Sequence, residues 1–292
     1  MKFCFWITLL SVGLAGCSHA PGTSAPVAAT TTDQTAAAEA PAIPPTQTAP
    51  LATSADPTPA NAADDAVVQQ AASLKAEGKW ADARALLQPL AADAHAPDKV
   101  LDLLGEIDAQ ILFSPAPAPE KVDYTIAAGD TLGKLARKFN TTVELIKKAN
   151  GLSGDVIRIG DRLRIYQCHF TVDVNKTTNI LTVSDNGKFF KRYRVGTGQY
   201  SKTPEGEFKT TSRMENPPWY RSDGRSIPYG DPENILGTHW LGLNVPGYGI
   251  HGTWDTNSIG KQSSAGCIRL LNDDVAELYV MLPIGTSVTI HD

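Results

Sequence analysis

The chain lacks a strong charge of either sign. Its 292 residues carry 26 basic and 31 acidic side chains, a net of −5, and nothing in that balance suggests nucleic acid. The small net value hides an asymmetry: residues 1–120 hold 5 basic against 13 acidic groups, and residues 121–292 hold 21 against 18. The excess in the second part is too diffuse to serve as a polyanion patch. Cysteine is scarce, with four residues at 4, 17, 168 and 267. The apolar run near the start has the length of a secretory signal rather than of a membrane span. No cofactor and no metal site is expected. Hydrophobic content is nonetheless ordinary at 42%, so a chain of this length can hold two or three compact units with real cores.

The run MKFCFWITLLSVGLAGCSH opens with Lys2, continues apolar and ends in small residues. Leu14-Ala15-Gly16-Cys17 resembles the bacterial lipobox, in which Cys17 is diacylated and becomes the new amino terminus after removal of residues 1–16. Several acyl chains make a stable anchor where one does not. Ser18 stands where an anionic residue retains many such lipoproteins in the inner membrane, so the resemblance implies an outer-membrane anchor facing the periplasm. Cys4 leaves with the signal and Cys17 is acylated, so Cys168 and Cys267 are the remaining thiols, with one disulfide between them as an alternative. Residues 17–63, rich in Ala, Pro, Thr and Ser, cannot bury enough apolar surface to offset the entropy of ordering. They read as a disordered tether.

Residues 64–113 turn helical, with Val67, Val68, Leu74, Ala85 and Leu86 at helical spacing, breaks at Gly78 and Pro97, and a second periodic run from Val100 to Leu112. This segment is expected to be a short spacer bundle, and 114–122, containing SPAPAP, a stiff linker. Residues 123–167 order themselves as strand, helix, helix, strand. Tyr124-Thr125, Gly129-Asp130-Thr131-Leu132, Ala149-Asn150-Gly151-Leu152 and Ile159-Gly160 resemble a LysM (lysin motif) domain. That resemblance implies binding to N-acetylglucosamine-containing glycan, with peptidoglycan as the partner and Gly129, Asp130 and Asn150 at the binding face. The same three residues also suit turns and caps.

Residues 168–292 begin as strands. Asn179 to Ser184 and Lys188 to Val195 are joined by Asp185-Asn186-Gly187, a tight-hairpin signal. Gly196-Thr-Gly198 before Lys202 leads into no helix, so it is a turn rather than a phosphate loop. Only Asn272 to Leu282 is strongly helical, with Asn272 as the expected cap. The expected fold is multidomain: a mainly-β, sandwich-like unit with one late helix, preceded by the small LysM unit and the helical segment.

Chemistry concentrates in IHGTWDTNSIGKQSSAGCIRL, residues 250–270. A thiol becomes a strong nucleophile as thiolate, which needs a nearby base held in the right tautomer. The order His before Cys excludes papain-like arrangements, and the sixteen-residue interval excludes caspase-like ones. His251-Gly252 and Ser264-Ala265-Gly266-Cys267-Ile268-Arg269 resemble the L,D-transpeptidase catalytic domain, together with VGTGQYSKTPEGEF, Asn216-Pro217-Pro218-Trp219 and Tyr248-Gly249-Ile250. The resemblance implies Cys267 as nucleophile, His251 as base, the Gly252 carbonyl as its orienting group, and an oxyanion hole at the backbone N–H groups of Gly266 and Cys267. It offers Ser264, Arg269, Trp219 and His239 as substrate-binding candidates. Arg269 either meets a substrate carboxylate or braces the loop. Trp219 and Tyr220 either line the donor cleft or close a local core. Ala265 stands where many relatives carry a second His, and His239 is either its spatial replacement or a structural histidine beside Trp240.

The implied activity is that of a lipid-anchored transferase acting on peptidoglycan: it opens a tetrapeptide stem, releases D-alanine and passes the acyl group to an amine, either another stem or an outer-membrane protein, and carbapenems acylate its cysteine. Transfer to water, making a carboxypeptidase or amidase, and a non-catalytic wall anchor are the alternatives. A sortase-like enzyme would need a much longer His to Cys interval.

Overall fold

The computed structural model describes residues 59–167 and 169–292. The signal, Cys17, most of the tether and Cys168 lie outside the described residues. The first helix, α1, spans Pro59–Ala76, so it starts inside the segment expected to be tether. Proline at a first helical position needs no amide partner and brings its own helical φ. With α2 (Trp80–Ala91) and α3 (Asp98–Phe113) it buries Ala71, Leu87, Val100, Leu104, Ile107 and Ile111 in a core of its own. Val100, Leu104, Ile107 and Ile111 recur at the spacing of one helical face.

The LysM-like unit follows as β1 (Lys121–Thr125), α4 (Leu132–Lys138), α5 (Val143–Asn150) and β2 (Arg162–Tyr166), with β1 and β2 antiparallel. Both helices start on threonine caps: Thr131 accepts from Lys134 N and Thr142 from Leu145 N. Gly151, at φ +64°, closes α5 in the left-handed conformation that costs glycine least. The SPAPAP stretch is no free spacer. Lys121 Nζ donates to the carbonyls of Ile111, Ser114 and Ala116, which satisfies the C-terminal end of α3 and draws β1 back into the expected linker.

The remaining strands are β3 (Phe170–Asn175), β4 (Ile180–Asp185), β5 (Lys188–Arg194), β6 (Thr197–Gly198), β7 (Gly206–Glu215), β8 (Trp219–Tyr220), β9 (Ser226–Ile227), β10 (His239–Leu243), β11 (Gly249–Thr253), β12 (Gln262–Ser264), β13 (Ile268–Leu271) and, after α6 (Asn272–Met281), β14 (Ser287–His291). Eight of them form one mixed sheet in the order β13-β11-β10-β7-β14-β3-β4-β5. The sandwich-like character comes from β7. Its first four residues pair with β14, and from Thr210 onward it pairs with β10, so one long strand serves two half-sheets. Both halves bury side chains in one core: Val172, Leu181 and Val288 from one, Leu241, Ile250 and Ile268 from the other. The hairpin turn at Asn186 and Gly187 has positive φ at both positions (51° and 74°), as a two-residue hairpin requires.

The helical segment differs from the expected spacer. α3 covers β5, the strand at one edge of the sheet: Gly105 lies so close that a Cβ would sit 3.0 Å from Lys191 Cγ, and Arg192 pairs with Asp98 and Asp102. Covering an edge strand removes a template for unwanted pairing, which explains why amphipathic helices without a target in the local sequence dock there. The LysM-like unit is likewise joined to the sheet unit, since Leu145 enters the main core and Thr142 donates to Val280 O. Where the three parts meet, Arg84 pairs with Asp108 (2.8 Å) and Glu120 (2.9 Å), and Tyr166 donates to Asp185 (2.9 Å). Asp108 is 1% exposed, and its burial pushes its pKa up to about 7 despite Arg84.

A buried charge that loses its partner is costly, about 3 kcal/mol or more. Arg84→Met is therefore expected to lower the thermal midpoint by several degrees, and Arg84→Met combined with Asp108→Leu to recover most of that loss, as followed by circular dichroism.

Candidate active site

β11 is buried along its whole length, and His251 stands at its centre with 2% exposure. β13 pairs with it in parallel, His251 opposite Arg269 and Ile250 opposite Ile268. Parallel neighbours need a crossover of about a dozen residues or more. The interval between His251 and Cys267 is that crossover, carried by a 3-10 turn at Thr256–Ser258 and by β12. It returns the chain so that Cys267 stands one step ahead of the Ile250 and Ile268 pair.

Gly252 follows His251 because α6 leaves no space for a side chain: a Cβ would lie 3.1 Å from Val275 Cγ1 and 3.2 Å from Thr238 N. Its carbonyl accepts from His251 Nδ1 at 2.6 Å, which fixes the tautomer and leaves Nε2 to take a proton. Burial drives the imidazole pKa down to about 4, with the Arg269 guanidinium acting in the same direction and backbone hydrogen bonding at Gly252 and Leu236 opposing. Cys267 is a free cysteine whose Sγ donates to Gly247 O at 3.5 Å. Burial pushes the thiol up, against a backbone hydrogen bond at Gly249 and the Arg269 charge. Burial thus disfavours the charged form of both side chains, imidazolium and thiolate alike.

Gly266 adopts φ +138°, and a Cβ there would meet Tyr248 Cε1 at 2.7 Å, so only glycine fits. Its N–H, expected at the oxyanion, donates instead to Ser264 Oγ at 3.0 Å, and that hydroxyl donates to Cys267 O at 2.7 Å. A hydroxyl two residues upstream closes the turn and takes the amide. Ser264 is therefore a brace of the turn that carries Cys267. From outside the motif, buried Thr203 donates to Gly266 O at 2.8 Å and accepts from Gly198 N at 2.7 Å.

Cys267, His251, Ser264 and Arg269 line one cleft of about 480 Å³, roofed by Trp219 and Tyr220. Trp219 is half-buried with the Arg221 guanidinium 5.1 Å from its ring centre, and Tyr220 stands 73% exposed. Arg269 Nε is buried and has no hydrogen-bond partner among the described residues. A second chamber of about 320 Å³ also touches Cys267 and is walled by Met214, Pro217, Pro218, Leu236 and Trp240. His239 is not among the residues lining either chamber. Alternation along β10 turns it from the face that Trp240 shares with His251, and its ring lies against Tyr279 at 4.7 Å. Asn272 does not cap α6, whose cap residue is Leu271. Its Oδ1 accepts from Thr238 N at 3.1 Å, tying the segment after Leu236 to the helix.

The LysM candidates form a separate group. Asp130 accepts from Tyr124 (2.9 Å) and Ala127 N (2.8 Å), and Asn150 bonds Ile146 O, Arg164 O and Arg164 N. Asn150 spends its amide and Asp130 its Oδ2 shaping the fold, and Gly129 supplies the positive φ of the turn (84°). Sequence reasoning missed Thr203, the occupied Gly266 amide and the ring packed on His251. The bond from Thr203 to Gly266 carries no local signal, since the two lie 63 positions apart.

Residues 169–290 match the YkuD family, described as the L,D-transpeptidase catalytic domain, and residues 124–165 match the LysM domain. Two proteins of Bacillus subtilis whose names mark them as putative L,D-transpeptidases are similar. YqjB is 46% identical over 127 residues, 41% of this chain and 70% of the relative. YkuD is 36% identical over 175 residues, 58% of this chain and 98% of the relative. Among solved structures, an L,D-transpeptidase from Mycobacterium smegmatis aligns with TM-score 0.38 at 23% identity, over 46% of this chain and 65% of that one.

The depressed His251 pKa has a stability consequence with a definite sign. Between pH 6.5 and about 4 the unfolded chain takes up a proton that the folded one refuses, so stability falls as pH falls through that window, by up to about 3 kcal/mol. The urea midpoint of the parent protein is expected to drop across that interval more than that of His251→Gln.

Proposed function

The chain belongs to the L,D-transpeptidase family, and we propose from that premise that it is a cysteine acyltransferase of peptidoglycan. The observation that carries the reading is the cleft in which Cys267, His251 and Arg269 converge, with His251 Nδ1 held by Gly252 O. Cys267 Sγ attacks the carbonyl of the third stem residue while its proton passes to His251 Nε2. The C–N bond to the terminal D-alanine breaks, the proton goes to the leaving nitrogen, and a thioester remains. An incoming amine then gives its proton to Nε2, forms the new C–N bond and returns Sγ to the thiol. Because burial disfavours both charged forms, charge on the pair is disfavoured outside the transfer itself.

The Cys267 N–H is the amide left to meet the oxyanion once Ser264 has taken that of Gly266. The unpartnered Arg269 Nε supports the carboxylate-binding alternative for this residue, since a buried guanidinium nitrogen without a partner is costly until a ligand supplies one. Trp219 and Tyr220 cover the donor stem. The smaller chamber has no charged side chain in its walls, which suits an acceptor arriving as a neutral amine. The LysM-like unit holds the glycan through its Gly129 turn and the neighbouring loop, where Ile159 is 73% exposed. Acylated Cys17 and the tether place the enzyme at the outer membrane, facing the wall.

Incubation of purified protein with muropeptides is expected to yield D-alanine and cross-linked products by mass spectrometry. Cys267→Ala and His251→Gln should each lower turnover by orders of magnitude, without additive loss in the double variant. A carbapenem should add to the parent, with the adduct mapped to Cys267. D-alanine release by Cys267→Ala would overturn the assignment.

Metabolic labelling with a fatty-acid analogue tests the anchor. Label is expected on the full chain and should be lost in Cys17→Ala, and equal labelling of the two would refute acylation at that residue.

A further inference from the structure

Trp240 and His251 are direct partners across the antiparallel pair of β10 and β11, and so are Gly242 and Gly249 two steps along. All four residues face the same side of the sheet. The indole lies across the glycine pair: a Cβ on Gly249 would stand 2.6 Å from both Cζ2 and Cη2, and one on Gly242 would stand 2.9 Å from Nε1. Gly249 is thus kept bare where a side chain would displace the ring, and Gly242 where one would meet both the ring and Ser212 Oγ. The indole ends nearly parallel to the His251 imidazole, with 5.9 Å between ring centroids and 21° between planes. Its other flank walls the smaller chamber beside Cys267.

The setting of His251 gives that stack something to do. The imidazole becomes a cation each time it takes the thiol proton. The charged group acting on it among the described residues is Arg269, facing it from β13, and that charge is of the wrong sign. Its Nδ1 is held by a carbonyl, not a carboxylate. A cation within about 6 Å of an indole centroid is attracted by the ring's negative face, more strongly when the pair is desolvated.

We propose that Trp240 is a positioning residue of the acyl transfer, whose indole face holds the His251 ring in plane and stabilises the imidazolium formed while the proton is in transit. The inference rests on His251 being the base. An interaction that appears only with the charge acts on the transition state and not on bound substrate. It therefore belongs in kcat, with KM little changed.

Fluorinated tryptophans placed at 240 weaken the negative face while nearly preserving the ring's shape. The full chain would be made with tryptophan, monofluoro- and tetrafluorotryptophan at that position, and with Trp240→Phe and Trp240→Leu. Two rates would be followed across pH: D-alanine release from tetrapeptide stems, and alkylation of Cys267 by iodoacetamide. Both are expected to fall stepwise with fluorination, about tenfold at the tetrafluoro ring, with kcat carrying the loss and melting unchanged. Phe should retain more activity than Leu. Equal rates across the fluorinated series would overturn the proposal, as would a loss confined to KM, which would make Trp240 only a wall of the chamber. Alkylation unaffected by His251→Gln would instead overturn the role of His251 as base, a distinct failure.

Discussion

The parallel pairing of β11 with β13 is the constraint on which the cleft depends. It sets His251 opposite Arg269 and so requires the chain to travel back the length of a strand before Cys267 can appear. That journey is the His to Cys interval. It supplies the crossover, and with it β12, whose pairing with β6 brings Gly198 and Thr203 to the turn that carries Cys267. A one-residue slip would turn His251 to the opposite face of the sheet and would remove it from the cleft. α6 reinforces the register from outside by packing against Gly252, where no side chain could be accommodated.

Desolvation then decides the chemistry. Burial disfavours the charged form of both members of the pair, and the groups around them are carbonyls, an aromatic ring and one guanidinium rather than a buried carboxylate. An acid held next to His251 would raise its basicity but would itself need compensation in a strand that is buried throughout. Backbone and ring contacts avoid that cost.

Local chemistry made much of this legible in advance. The threonine caps of α4 and α5, the Asn186-Gly187 turn, the β-rich runs and the pairing of His251 with Cys267 all follow from residue types acting on near neighbours. What escaped were choices made by distant partners. Nothing in residues 64–113 shows that α3 will cover β5, because the surface it fits is assembled some ninety residues later. Nothing in Ser-Ala-Gly-Cys shows that Ser264 will take the Gly266 amide, since a serine there could as well face solvent. His239 and Trp240 are adjacent in sequence, and only strand alternation, once the sheet face is known, separates the residue on the cleft side from the one against Tyr279.

β14 comes latest among the strands yet lies in the middle of the sheet, parallel to β3 and antiparallel to β7. The two halves of the sheet can join only when that segment arrives, so assembly depends on contacts of very long sequence separation and should be slow relative to local helix formation. The amino-terminal helices can fold on local contacts, but the cleft cannot close around Cys267 until residues 287–291 lie between β3 and β7. The convergence of His251 and Cys267 is thereby deferred until the last strand is in place, a timing imposed by topology.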